Sequence, residues 1–96
     1  MELMPRHTQI VETIQTHFGL LVREECFQFP EDESNLYMIS PDGVLLWVAE
    51  RVMEGDVYAN PIVRIDQAQI SCASWKGYDC EIDLRSGKLL RATFTK

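Results

Sequence analysis

Pro5-Arg6-His7-Thr8-Gln9-Ile10-Val11-Glu12-Thr13-Ile14-Gln15-Thr16-His17-Phe18-Gly19 is the stretch on which the fold class turns. Pro5 suits the first turn of a helix, where its missing N–H is no loss. Ile10, Val11, Ile14 and Phe18 come next at spacings of one, three and four, and would form one apolar stripe. Gly19 stands directly after Phe18, in the place of a C-terminal cap. The spacing predicts a helix over residues 5–18, about 21 Å long at the usual rise per residue.

From Leu20 onward short apolar runs alternate with turn residues, the pattern of strands. Leu20 to Phe29 reads as a strand stopped by Pro30 and the acidic loop Glu31-Asp32-Glu33-Ser34. Leu36–Ser40 and Val44–Val52 flank Pro41-Asp42-Gly43, a three-residue turn with glycine at the left-handed position. That turn predicts Ser40 opposite Val44, Met38 opposite Leu46 and Leu36 opposite Val48. After a linker over residues 54–61, strand character returns at 62–65, 68–74, 78–83 and 88–95, with Leu84-Arg85-Ser86-Gly87 turning the last two. The fold class expected is α+β: one N-terminal helix packed on an antiparallel meander of about six to seven strands over residues 20–95, in a single domain spanning 1–96.

One register is decided by chemistry. A two-residue turn at Lys76-Gly77 would place Ile70 and Cys72 on one face with Glu81 and Asp83. A three-residue turn, Trp75-Lys76-Gly77, places them with Tyr78, Cys80 and Ile82, separating apolar from acidic side chains completely. A slip of one residue reverses every side chain, so the three-residue turn is expected.

The net charge of −6 is unevenly spread. Residues 1–70 hold twelve acids against four bases (−8), and residues 71–96 hold three acids against five bases (+2). An acidic body repels phosphate backbones, which argues against nucleic acid as a partner and leaves basic proteins or small molecules. Met1-Glu2 opens no basic and apolar leader, and the longest apolar run, Val44–Ala49, is far too short to span a bilayer. Cys26, Cys72 and Cys80 are odd in number and lack CxxC spacing, which fits reduced thiols and a cytoplasmic location.

Two stretches carry a resemblance. Leu36-Tyr37-Met38-Ile39-Ser40-Pro41-Asp42-Gly43-Val44-Leu45-Leu46-Trp47 resembles a blade hairpin of the pyrroloquinoline-quinone type of β-propeller. So does Ser74-Trp75-Lys76-Gly77-Tyr78-Asp79-Cys80-Glu81-Ile82-Asp83-Leu84-Arg85-Ser86-Gly87-Lys88-Leu89-Leu90. Trp47 matches the closing tryptophan of that repeat, whereas Cys80 stands where the family has tyrosine and Arg91 where it has the closing tryptophan. The likeness covers about a third of the chain and amounts to a repeat at a blade-like period. Two units cannot close a propeller, so it implies blade-type hairpins, and no cofactor residue carries over. In size, acidity and layout the chain is also similar to small bacterial immunity proteins that neutralise toxins.

Each candidate site also has a plain structural reading. Asp79, Glu81 and Asp83 alternate on one strand and could face a hard cation, though a carboxylate stripe is commonly the wet side of a half-buried strand. His7 and His17 are ten residues apart, not the i, i+4 pair of a helical zinc site, and the thiols do not cluster, so no metal or cofactor is expected. No phosphate loop, nucleophile elbow or other catalytic signature is present, and no catalytic residue is assigned. The first hairpin is apolar on both faces, with Tyr37, Ile39, Leu45 and Trp47 on one side and Leu36, Met38, Val44, Leu46 and Val48 on the other. One short helix cannot cover both, so the sheet curls over itself or the second face meets a partner or another copy. Tyr37, Ile39, Leu45 and Trp47, with the acidic Glu31, Asp32 and Glu33, are therefore the candidate protein interface. The function expected is a non-enzymatic protein-binding module, of immunity or inhibitor type, for a basic target. The rivals are a small ligand-binding protein or enzyme with a pocket between helix and sheet, and a homo-oligomeric structural protein.

Overall fold

Five of the seven residues in Ile10–Thr16 are β-branched, and the segment alternates between half-buried and exposed positions along its length. It is a strand. The computed structural model describes residues 3–95, and among them no helix forms. Eight strands succeed one another: β1 (Ile10–Thr16), β2 (Gly19–Glu24), β3 (Leu36–Ile39), β4 (Leu45–Val48), β5 (Val63–Arg64), β6 (Gln69–Ala73), β7 (Tyr78–Asp83) and β8 (Leu89–Phe94). They make two four-stranded antiparallel meanders, β1-β2-β3-β4 and β5-β6-β7-β8. The expected α+β class with a helix over residues 5–18 is therefore overturned: the fold is all-β.

The helical spacing was produced by a bulge. Ile10 pairs with Glu24 and Glu12 with Arg23, so Val11 is the inserted residue. Beyond the bulge Ile14 packs into the core between the sheets, while Ile10 packs on the opposite side of the sheet. His17 and Phe18 form a two-residue turn between Thr16 and Gly19. The Thr16 hydroxyl ties it, donating to Gly19 O (2.7 Å) and accepting from Phe18 N and Gly19 N (3.1 Å each). Gly19 caps no helix; it lets β2 lie against β3, since a Cβ there would overlap the Ile39 carbonyl oxygen.

The three turns expected in the meander form as read. Ser40 N bonds Val44 O (2.8 Å), Ser74 N bonds Tyr78 O (2.7 Å) and Asp83 N bonds Lys88 O (3.0 Å), with Gly43 and Gly77 left-handed at φ 85° and 101°. Ile70 faces Ile82 and Cys72 faces Cys80, all four buried. In the first hairpin, however, Ile39 pairs with Leu45 and Met38 with Trp47. Leu46 is bulged out, so the expected Met38–Leu46 and Leu36–Val48 pairs do not form. A bulge of one residue moves the residues beyond it to the other face, and Trp47 consequently turns inward.

The core lies between the meanders. Leu21, Leu36, Met38 and Ala49 from the first sheet meet Tyr58, Ile62, Ile70, Cys72, Cys80, Ile82 and Leu84 from the second half, with Trp47 packed against them. Three polar ties cross this core. Trp47 Nε1 donates to Leu84 O (3.1 Å). Glu12 accepts Ile62 N (3.0 Å) while pairing with Arg23 Nε (2.9 Å). The buried Asn35 side chain donates to Glu24 O and Tyr58 O (2.8 Å each) and accepts Tyr58 N (2.7 Å).

Burial also sets the chemistry of the thiols. All three cysteines are free; desolvation pushes Cys72 up to about 12 and raises Cys80. Thiolate, not thiol, is the nucleophile. Burial and the neighbouring Glu25 raise the Cys26 thiol as well, so access decides: iodoacetamide should label the half-buried Cys26 alone in the native protein and all three in denaturant, read by intact mass. Native labelling of Cys72 or Cys80 at the rate of Cys26 would contradict this core.

Candidate functional site

The outer face of the first sheet, left uncovered in a two-layer packing, is closed by the chain's own N-terminal segment. Glu24 projects there, fully buried. Its carboxylate accepts the backbone N–H groups of Arg6 (2.6 Å), His7 (3.0 Å) and Thr8 (2.8 Å), and the Tyr37 hydroxyl donates to its Oε2. Burial works to raise its pKa. The Tyr37 hydroxyl and the three N–H groups outweigh that and hold the carboxyl below the usual glutamate value. Burial, with Glu24 beside it, drives the Tyr37 hydroxyl well above the ordinary tyrosine value. The Arg6 guanidinium lies over the Tyr37 ring, 5.4 Å from its centre, and bonds Glu33 Oε1 at 2.8 Å, while His7 Nε2 meets Glu33 Oε2.

Two concavities flank this segment. One is a cleft of about 270 Å³ lined by Leu3, Met4, Arg6, Tyr37, Ile39, Gly43 and Leu45. The other is an open groove of about 540 Å³ lined by Asp32, Glu33, Ser34, Val48, Ala49, Glu50, Arg51, Met53 and Glu54. Glu50 accepts Leu89 N (2.8 Å) and Glu33 is engaged by Arg6 and His7. The carboxylates of Asp32 and Glu54 make no bond within the described residues and are exposed.

The candidate interface residues are thus divided. Tyr37, Ile39 and Leu45 come together in the cleft. Asp32 and Glu33 line the groove, and Glu31, exposed beside it, gives its carbonyl to Arg51 Nη1 (2.7 Å). Trp47 lies apart from all of them, between the sheets. Glu50, Met53 and Glu54, which also line the groove, were not among the candidate interface residues. The Glu24 cradle had no local signal, because its donors lie thirteen to eighteen residues away in the chain.

The carboxylate stripe of β7 is bound into the sheet. Asp79 accepts from Ser71 Oγ (2.6 Å), Glu81 stands opposite Arg91, and Asp83 caps its turn through Ser86 N and Oγ (3.1 and 2.6 Å). Among the described residues no group of three or more His, Cys, Asp or Glu side chains is gathered as a metal ion requires, and no helix is long and apolar enough to cross a membrane.

A family described as a domain of unknown function, DUF7957, matches residues 3–94. No curated protein and no solved structure matches the chain. With nearly its whole length matched, the chain belongs to the DUF7957 family.

Proposed function

We propose that this protein is a non-enzymatic binding module of the cytoplasm whose acidic groove receives a basic segment of a partner protein, in the manner of an immunity or inhibitor protein. The observation that carries the reading is the pair of spare carboxylates, Asp32 and Glu54, which line one groove with the apolar Val48, Ala49 and Met53. Spare charge beside apolar surface suits lysine or arginine side chains whose aliphatic stems lie on that surface. Three free thiols fit a reducing compartment. The neighbouring cleft is below the roughly 300–1,000 Å³ of small-molecule sites, which suits one apolar side chain of the same partner better than a free metabolite.

The test is a set of peptides alternating lysine or arginine with leucine, titrated against the wild type and Asp32→Asn/Glu54→Gln. Binding should fall with added salt, and the double substitution should weaken it by about tenfold at low ionic strength, as expected for two partly screened charge pairs. Affinity indifferent to both salt and substitution would remove the groove from the reading.

A further inference from the structure

The outermost strand of the second sheet, β8, is bare. Every residue from Leu90 to Phe94 is exposed, including Leu90 at 51% and Phe94 at 58%. The other sheet edges are blunted. β5 is two residues long, β4 is broken by the Leu46 bulge, and β1 gives its Gln15 carbonyl to Arg64 Nη1 (3.4 Å). Short strands, bulges and covering groups are how sheets avoid pairing with other chains. β8 carries one bulge, at Leu90 between the Ile82–Leu89 and Glu81–Arg91 pairs; beyond it, among the described residues, Ala92 to Phe94 run regular and exposed.

We propose that β8 is a self-pairing edge, joining antiparallel to β8 of a second copy so that two four-stranded sheets become one of eight. This inference is independent of the groove. The hydrogen-bond ladder supplies the first argument. Thr95 N bonds Gly77 O (2.8 Å), and Phe94 stands opposite Tyr78 and Ala92 opposite Cys80. Bonded and non-bonded pairs alternate along an antiparallel ladder. Thr93 and Arg91 therefore spend their backbone groups on β7, while the N–H and C=O of Ala92 and Phe94 point to the open edge. Those are the groups a partner strand needs.

The side chains supply the second argument and select a copy of the same chain. With the two-fold centred on Ala92, Ala92 meets Ala92 of the second copy as a small, uncharged pair, and the exposed Phe94 reaches the second copy's strand near its bulged Leu90. On the other face Arg91 meets Thr93 of the second copy. Because Arg91 pairs with Glu81 and Thr93 with Asp79 within one chain, the row across the joint runs Glu81, Arg91, then Thr93 and Asp79 of the second copy. Each arginine stands between Glu81 of its own chain and Thr93 of the second copy, and no two like charges face each other. Centring on Arg91 instead would oppose two arginines, which is unfavourable.

The experiment is sedimentation of the full chain over a concentration series, for the wild type, Ala92→Pro and Ala92→Lys. The Ala92 N–H points away from β7, and proline is tolerated at such edge positions; lysine there would face lysine across the two-fold. The wild type should dimerise, and both substitutions should raise the dissociation constant by about tenfold or more, from two lost hydrogen bonds or apposed charge. Circular dichroism should be unchanged; if the proline variant fails to fold, the lysine variant decides. A wild type that stays monomeric at hundreds of micromolar, or a dimer that survives the lysine substitution, overturns the proposal.

Discussion

Glu24→Ala should lower the unfolding free energy by about 3–5 kcal/mol in urea, because three backbone N–H groups and a phenol lose their acceptor together, and each buried donor left without one costs about 1–3 kcal/mol before water relaxes in. Glu24→Gln keeps one acceptor oxygen and should lose less. The pH dependence stems from the lowered pKa. Unfolded, the carboxyl titrates near its ordinary value of 4.5; folded, it titrates lower. The native state therefore binds fewer protons in the interval between the two values, and stability falls as pH falls through it. The contribution of Glu24 is complete above the unfolded value and lost once the pH is below the folded one. The wild type should show a steeper acid limb than Glu24→Gln. Coincident limbs down to about pH 3 would mean that the carboxylate does not hold the N-terminal segment.

The second large effect lies where the β7–β8 turn meets the first sheet. Gly87 is left-handed at φ 76°, and a Cβ there would lie 2.6 Å from Trp47 Cδ2 and closer still to Cε3. Gly87→Ala should lose about 3 kcal/mol, combining about 1–2 kcal/mol for the backbone conformation with the strain of displacing a packed ring. Trp47→Ala should lose about 3 kcal/mol by itself, the lower part of the range for core aromatics because the ring is not fully enclosed. The double variant should lose at least about 1 kcal/mol less than the sum, since removing the ring removes the clash. Strict additivity would show that Trp47 does not rest on Gly87. An interfacial Trp47, by contrast, would leave monomer stability nearly untouched when truncated.

The legible part of the sequence was local. The turns at 41–43, 75–77 and 84–87 could be read because each register is set by a few consecutive residues whose backbone needs are chemical: proline, aspartate, glycine. The Cys72–Cys80 and Ile70–Ile82 pairings came from separating apolar from acidic side chains. Both failures were bulges. An extra residue at Val11 let Ile10 and Ile14 serve different faces while mimicking a helical stripe, and an extra residue at Leu46 turned Trp47 from the expected interface into the core. A bulge has weak local signal, because the residue inserted can be any that tolerates the bend. The β-branched content of 10–16 was the better guide, since such side chains are stiff and favour the pleated backbone. The second apolar face of β3 did need a cover. That cover, six residues of the chain's own beginning clasped by Glu24, depends on contacts distant in sequence. So does the groove, whose walls come from the loops after β2 and β4.

The strand order also has a kinetic meaning. Each strand hydrogen-bonds only to strands adjacent in the chain, so every hairpin closes a short loop and the entropic barrier to forming either meander is small. Neither meander can bury its inner side alone, however; the apolar surface of Leu21, Leu36 and Met38 is covered only when the second half arrives. Docking of the two halves through the segment between Ala49 and Ile62 is then the expected slow event in folding. Tyr58 and Asn35 fasten this segment to the first sheet, so Asn35→Ala should slow refolding as well as speed unfolding in stopped-flow denaturant jumps.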